Sequence, residues 1–90
     1  MNSQYKQELI KLFCGIKNPR IMDKFLEDIL TPQEFEEIIN RWQIVKQLSK
    51  KIPQRKIASE LGVSIAKITR GSRMLRNKEG GFWKVLKMKK

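Results

Sequence analysis

One short stretch of the chain constrains the fold more than any other. Residues 54–74 read QRKIASELGVSIAKITRGSRM, in which small, apolar and polar residues have the spacing of two short helices joined by a tight turn. Ile57, Ala58 and Leu61 share one face of the first helix. Gly62 then ends this helix, because glycine adopts the left-handed conformation beyond a helix C-terminus without a side-chain penalty. The pattern predicts a first helix that ends at residue 61.

The second helix of the pair is predicted over residues 65–76. Ser64 is a suitable N-cap for it, so the turn consists of residues 62–64. Ala58 is small because the second helix crosses close over it, and Ile68 faces back toward the first helix. This is the pattern of a helix-turn-helix, which offers its second helix to the major groove of DNA.

The outer face of this second helix has side chains suited to DNA. It contains no acidic residue and is formed by Ala66, Lys67, Thr69, Arg70 and Arg73. Lysine and arginine neutralise phosphates or donate to guanine, and the methyl groups of alanine and threonine suit the thymine methyl. The alternative interpretation of the same residues is a solvated basic helix packed on a helical core.

The charge of the chain is concentrated in its C-terminal half. Residues 1–30, 31–48 and 49–90 carry net charges of +1, −1 and +11. The C-terminal half is therefore expected to face a polyanion. A basic surface alone would suit RNA or an anionic membrane equally well. At this length the chain is predicted to form one domain over residues 1–90, which a partner subunit would help to stabilise.

The composition argues against several classes of protein. Cys14 is the only cysteine and there is no histidine, so neither an internal disulfide nor a zinc site is expected. Cys14 lies in an apolar stripe and is predicted to be buried. No enzyme is expected, because the chain lacks a phosphate-binding glycine loop and a base beside its cysteine. No membrane span or signal peptide is visible, which favours the cytoplasm.

Two amphipathic helices are predicted before residue 31, over residues 3–16 and 20–30. The second has a broad apolar surface for its length, which indicates burial on more than one side. Another subunit is the expected second side.

A long central helix is predicted from residue 32 to about residue 49. Its start is well marked, with Thr31 as N-cap, Pro32 at the first helical position and Glu34 completing a capping box. Arg41 lies beside Trp42 at the edge of the apolar stripe. The pattern alone favours an ordinary surface arginine at this position.

A turn over residues 77–81 and a last helix over residues 82–88 are predicted to follow the helix pair. Phe82 and Trp83 are expected to dock on the core, with base stacking as the less favoured alternative. Four lysines are expected to face solvent or phosphate, namely Lys84, Lys87, Lys89 and Lys90.

Gly71 is left unexplained by the helical pattern. A glycine within a helix costs about 1 kcal/mol relative to alanine, so either the helix is irregular there or something approaches its backbone closely. A phosphate, a neighbouring helix and a small ligand are all compatible with this position.

Several motifs together resemble the bacterial tryptophan repressor family. They are IAKITRGS at residues 65–72, LTPQE at residues 30–34, and Arg41 ten residues after Thr31. The resemblance covers about residues 25–76, with a looser match of helical pattern on both sides. It implies an all-α, compact helical domain that forms an intertwined homodimer in the bacterial cytoplasm, associated with the nucleoid. Dimerisation helices would occupy residues 1–49, the helix-turn-helix 53–76 and the C-terminal helix 82–88.

The resemblance also implies a small-molecule effector. In the family, tryptophan binds between the central helix and the second helix of the pair, with its indole between two arginines that match Arg41 and Arg70. L-tryptophan or a related indole compound is the implied co-repressor, and Arg41 becomes a candidate wall of its pocket. The residues implied to contact the ligand, the first two through the backbone of the other subunit, are Ile29, Leu30, Thr31, Arg41, Arg70, Gly71 and Met74.

The DNA-contacting positions of the family also have counterparts in this chain. Gln54 and Arg55 match phosphate-contacting positions, and the tip that faces the operator is matched by Ser64, Ile65, Ala66, Lys67 and Thr69. Lys67 replaces a threonine, so a different operator is expected. The full set predicted to contact a double-stranded DNA operator is Gln54, Arg55, Ser64, Ile65, Ala66, Lys67, Thr69, Arg70, Arg73 and Arg76.

Three departures from the family bear on the ligand. Met74 replaces a serine that bonds the ligand's amino group, Trp42 replaces a small aliphatic residue, and the loop at residues 50–52 is slightly shorter. The alternatives are therefore another effector, or a constitutive regulator in which Met74 or Trp42 fills the pocket. Two alternatives belong to other classes of protein. They are a nucleic-acid-binding protein without sequence preference and a ligand-free interaction module.

Overall fold

The structure, a computed structural model, describes residues 2–88, and Lys89 and Lys90, two of the lysines expected to face solvent or phosphate, lie outside the described residues. Six helices and no strand occur in residues 2–88, which confirms the prediction of an all-α fold. The helices are α1 (Ser3–Gly15), α2 (Pro19–Ile29), α3 (Pro32–Ser49), α4 (Gln54–Leu61), α5 (Ile65–Met74) and α6 (Gly81–Met88).

The chain divides into a first unit up to Phe35 and a second unit from Glu36 onward. The single domain over residues 1–90 stays a prediction. None of the helices in the described part of the chain is both long enough and apolar enough to cross a membrane.

Asparagine caps begin both helices of the first unit. The Asn2 side chain accepts a hydrogen bond from the Gln4 backbone N–H at 2.8 Å, and Asn18 does the same for Arg20 at 2.8 Å. Pro19 occupies the first turn of α2, where a missing N–H costs nothing. Both helices end one residue before their predicted ends.

Packing within the first unit includes one aromatic pair. The rings of Phe13 on α1 and Phe25 on α2 meet edge to face, with centroids 5.4 Å apart and an interplanar angle of 76°. No residue of α1 or α2 is buried in the single chain. The large apolar side chains left exposed on these helices are Tyr5, Leu9, Ile10, Leu12, Ile21 and Ile29.

Cys14 is exposed in the single chain, so the prediction that it is buried is wrong there. Phe13 makes the aromatic contact to α2, and Cys14, one position later, lies on a different side of α1 because successive helical residues are rotated by about 100°.

The predicted capping box of α3 is confirmed. The Thr31 backbone N–H donates to Glu34 Oε1 at 2.9 Å, and the Glu34 backbone N–H donates to Thr31 Oγ1 at 3.1 Å. Two donors at the helix start are thereby satisfied reciprocally. The helix begins at Pro32 and ends at Ser49, as predicted.

Three isoleucines form the core of the second unit. Ile44 on α3, Ile57 on α4 and Ile68 on α5 are at most 1% exposed. The partly buried apolar residues that pack around them are Leu48, Ile52, Ala58, Leu61 and Val63. Burying these side chains fixes α4 and α5 against α3, since each such residue contributes about 1.5–3 kcal/mol on removal from water.

The turn between α4 and α5 has the predicted geometry. Gly62 has φ 65° and ψ 36°, and its N–H donates to the Ala58 carbonyl at 2.9 Å. The Val63 N–H donates to the same carbonyl at 3.2 Å. Ser64 is the N-cap of α5, and its hydroxyl accepts from the Lys67 N–H at 3.4 Å. The helix-turn-helix is therefore confirmed as a structural element.

Helix α5 ends at Met74, two residues before the predicted end at residue 76. Beyond this point the backbone hydrogen bonds shorten to three-residue spacing, since the Arg76 N–H donates to the Arg73 carbonyl at 3.2 Å and the Asn77 N–H to the Met74 carbonyl at 3.4 Å. The Leu75 carbonyl accepts a hydrogen bond from the Trp83 indole Nε1 at 2.7 Å. The Lys78 ammonium lies 4.6 Å from the centroid of the Trp83 ring. Trp83 thus docks on the end of α5, which agrees with the predicted role of this aromatic, and α6 begins at Gly81, one residue earlier than predicted.

The reason for a glycine at position 71 is the close approach of α3. Gly71 is buried, and a Cβ placed on it would lie 2.9 Å from Ile44 Cγ2 and 3.6 Å from Leu48 Cδ1. Of the phosphate, neighbouring helix and small ligand that the sequence left open at this position, the packing shows the neighbouring helix. The side chain that would have to move is a buried isoleucine, which is stiff about its first torsion.

We expect Gly71→Ala to destabilise the protein. Alanine favours the helix by about 1 kcal/mol, but overpacking a filled core costs about 1–3 kcal/mol, so the net loss should be about 1 kcal/mol. Urea unfolding at fixed protein concentration measures it. Gly15→Ala is the control, because a Cβ there meets nothing within 4 Å. A Gly71→Ala protein as stable as wild type would contradict the packing described above.

Candidate nucleic-acid interface and ligand pocket

The residues predicted to contact DNA lie on α4, on α5 and at their ends. Gln54 and Arg55 are the first two residues of α4, Ser64 caps α5, and Arg76 follows its end. All residues of the predicted set are exposed in the structure. Their contact with DNA stays a prediction.

The two sides of α5 differ sharply in character. Ile68 and Gly71 are buried on the side that faces the core, and Leu75 just beyond the helix is buried with them. The opposite side has no acidic residue, and its cations are Lys67, Arg70 and Arg73. The N-terminus of α5 adds the positive end of the helix dipole. This surface is suited to a polyanion whose groove admits a helix.

A cleft of about 270 Å³ lies in the second unit between α3, α5 and α6. Its lining residues are Glu37, Asn40, Arg41, Ile44, Val45, Lys67, Arg70, Gly71, Met74 and Phe82. The cleft brings together four residues that the family resemblance implies as ligand contacts, namely Arg41, Arg70, Gly71 and Met74. Ile29, Leu30 and Thr31 belong to the first unit, and their role as ligand contacts stays a prediction.

The cleft combines an apolar floor with charged walls. Ile44 and Val45, each 1% exposed, form the floor. The Arg41 guanidinium donates from Nη2 to Glu37 Oε2 at 3.4 Å, and both side chains are about half exposed. An exposed pair of this kind contributes little to stability. Arg41 is therefore a wall residue of the cleft as well as a surface charge, and its guanidinium lies where a ligand could reach it.

Six lining residues were not predicted as ligand contacts: Glu37, Asn40, Ile44, Val45, Lys67 and Phe82. Glu37 lies one helical turn before Arg41, so helical spacing from Arg41 could have found it. Phe82 comes from α6, and no sequence signal places α6 beside α3 and α5. The sequence predicts Lys67 only as a DNA contact.

Lys67 and Arg70 belong both to the cleft and to the exposed surface of α5. Each lines the cleft, and each is exposed on the α5 surface predicted to face DNA. A ligand in the cleft would therefore lie against two of the side chains that DNA would also meet.

The exposed basic helix, held by a tight turn on a buried three-helix core, defines a protein of the helix-turn-helix class. A family model described as Trp repressor protein matches residues 4–90. The chain belongs to this family, which confirms the resemblance seen in its motifs, and it is accordingly a DNA-binding transcriptional repressor rather than a member of an enzyme family.

Individual relatives are named as Trp operon repressor homologs. The chain is 44% identical over 70 residues to a Trp operon repressor homolog of Xylella fastidiosa, covering 77% of this chain and 76% of that protein. It is 38% identical over 81 residues to the homolog of Chlamydia caviae, covering 89% and 80%. A shorter match of 49 residues to the homolog of Mannheimia succiniciproducens is 57% identical and covers 53% of this chain and 48% of that protein.

Proposed function

We propose that this chain is a homodimeric repressor that binds a specific double-stranded DNA operator and gains DNA affinity when L-tryptophan or a related indole compound occupies the α3–α5–α6 cleft. The observation that carries the proposal is that Lys67 and Arg70 line the cleft and are also exposed on the basic surface of α5, which is predicted to face DNA. Occupancy of the cleft and the position of the DNA-reading side chains are then linked through the same residues.

The cleft has the size and lining for one aromatic amino acid. Its volume of about 270 Å³ lies just below the range of about 300–1,000 Å³ that is typical of ligand pockets. Ile44 and Val45 offer an apolar floor, and guanidinium groups of the kind supplied by Arg41 and Arg70 stack on aromatic rings. These features support an indole ring as the body of the ligand.

The mechanism is a shift between two orientations of α5. Arg41 belongs to α3, whereas Arg70 belongs to α5, the helix proposed to read the DNA. A ligand in contact with both would stabilise the orientation in which two α5 helices fit successive major grooves. It shifts the equilibrium only by the difference in its affinity for the two orientations.

Exposed apolar side chains support the homodimer. Tyr5 on α1 is 72% exposed and Ile21 on α2 is 58% exposed, and Ile38 and Ile39 on α3 are also exposed in the single chain. Exposed apolar side chains in this number, on the helices predicted to dimerise, favour a covering partner. A second copy of residues 1–49 would cover them, and the DNA target would place the dimer at the nucleoid of a bacterial cytoplasm.

A constitutive regulator with a self-filled pocket is less well supported. Met74 lines the cleft without filling it, since about 270 Å³ remains open. Trp42 is half buried and is not among the lining residues. An open cleft with two arginines favours an effector.

Selection of duplexes from a random library, with and without L-tryptophan, tests the proposal. Selected sites should retain binding against excess random duplex at about 150 mM salt, where non-specific binding collapses. L-tryptophan should tighten binding to these sites. Enrichment of no sequence would instead support a nucleic-acid-binding protein without sequence preference.

We expect Arg70→Ala to weaken both ligand and DNA binding. Loss of a guanidinium from one face of an indole should lower L-tryptophan affinity about tenfold, as measured by calorimetry. Arg73→Ala is the matched control, because Arg73 shares the exposed side of α5 but does not line the cleft. It should weaken DNA binding alone. Unchanged ligand affinity in Arg70→Ala would contradict the proposed ligand position.

We expect Arg55→Gln to weaken binding to all DNA sequences alike. Arg55 is exposed in the first turn of α4, and loss of one phosphate contact should lower the slope of log affinity against log salt by about one. Fluorescence anisotropy on selected and random duplexes measures this. Lys24→Gln removes the same charge outside the predicted contact set and should leave the slope unchanged. A loss confined to one sequence would contradict the phosphate-contact role of Arg55.

A further inference from the structure

The backbone at Lys51 has an unusual conformation. Lys51 is the only non-glycine residue in the described part of the chain with a positive φ, at 63°. It lies just beyond the end of α3, where its N–H donates to the Leu48 carbonyl at 2.9 Å and the Ile52 N–H donates to the Gln47 carbonyl at 3.2 Å. These two bonds form a Schellman motif, which requires a left-handed residue at this position.

The end of α4 solves the same geometric problem with a glycine. Gly62 has φ 65°, and the Val63 N–H beyond it donates to the Ala58 carbonyl at 3.2 Å. Glycine adopts this conformation without a side-chain penalty, whereas a lysine there stores backbone strain. The helix end therefore explains the left-handed backbone at position 51 but not the choice of lysine. Strain of this kind is characteristic of functional positions.

The surroundings of Lys51 are suited to a polyanion. Lys51 is exposed, whereas the next residue, Ile52, packs against the buried core. No acidic residue occurs between Glu37 and Glu60. Neither of the two ion pairs within residues 2–88 includes Lys51. Three further exposed cations lie in the same loop and in the first turn of α4, namely Lys50, Arg55 and Lys56.

We propose that Lys51 contacts a DNA phosphate, so that the DNA interface extends from the start of α4 back onto the loop at residues 50–53. The inference rests on the proposed DNA-binding function and adds a contact outside the predicted set. Three residues separate Lys51 from Arg55, and Gln54, the other predicted phosphate contact, is nearer still. The chain from Lys51 to Gln54 spans at most about 11 Å, so both residues reach the same stretch of DNA backbone.

The backbone at Lys51 prepares the side chain for this contact. The hydrogen bonds at Lys51 and Ile52 hold the loop on the end of α3. Because the attachment point of the side chain is fixed before DNA arrives, less conformational entropy is lost when the ammonium group pairs with a phosphate. The strain at Lys51 is then a loss of folding stability that accompanies a gain in DNA affinity.

Fluorescence anisotropy of the full chain on a selected and a random duplex, over a series of salt concentrations, tests the assignment. Lys51→Gln should lower the slope of log affinity against log salt by about one on both duplexes, because one phosphate contact is lost. Lys51→Arg retains the charge and should retain the slope. Lys51→Gly should lower the slope as Lys51→Gln does and should also raise the midpoint of urea unfolding at fixed protein concentration, because glycine relieves the strain.

Lys24→Gln is the matched control, because it removes the same charge from an exposed lysine of the first unit. It should leave the slope unchanged. An unchanged slope in Lys51→Gln, or an equal fall in Lys24→Gln, would overturn the role of Lys51, while sequence-selective binding by the wild type would still support the proposed function. A urea midpoint in Lys51→Gly no higher than that of the wild type would overturn the argument from strain. Binding of neither duplex by the wild type would overturn both the proposed function and the role of Lys51.

Discussion

The close packing of α5 against α3 is the constraint on which the rest of the second unit depends. Gly71 lets the two helices approach until a Cβ would lie 2.9 Å from Ile44 Cγ2. Ile44 also packs with Ile57 and Ile68 in the buried core, so one residue of α3 contacts both α4 and α5. Because α5 is held on this side, its basic side is left facing outward, and the cleft opens beside the same contact.

This arrangement makes α5 part of both the cleft and the basic surface that is predicted to face DNA. Arg70 and Lys67 project from α5, and Arg41 and Glu37 project from α3. A ligand between them would act on the position of α5 relative to the core and would not need to touch DNA. Such coupling is reciprocal, since whatever factor the ligand adds to DNA affinity, DNA must add to ligand affinity.

Local signals made much of the fold predictable, whereas contacts between distant segments were not. The capping box at Thr31 and the left-handed Gly62 are set by neighbouring residues, so the starts and ends they mark were correctly placed. The end of α5 was misplaced by two residues, where the backbone hydrogen bonds change to three-residue spacing and the distant Trp83 docks on the Leu75 carbonyl. The cleft was only partly predictable, since Phe82 reaches it through tertiary packing. Glu37 could have been predicted from its position one helical turn before Arg41, but the sequence analysis did not use that spacing.

The most direct test of the account is to titrate L-tryptophan into the free protein and into the protein bound to a selected duplex. The account predicts tighter ligand binding in the complex, by the same factor by which the ligand tightens DNA binding. Equal ligand affinity in the two titrations would show that the cleft and the DNA-facing surface are not coupled. It would then contradict regulation through α5, even if both ligand and DNA bind.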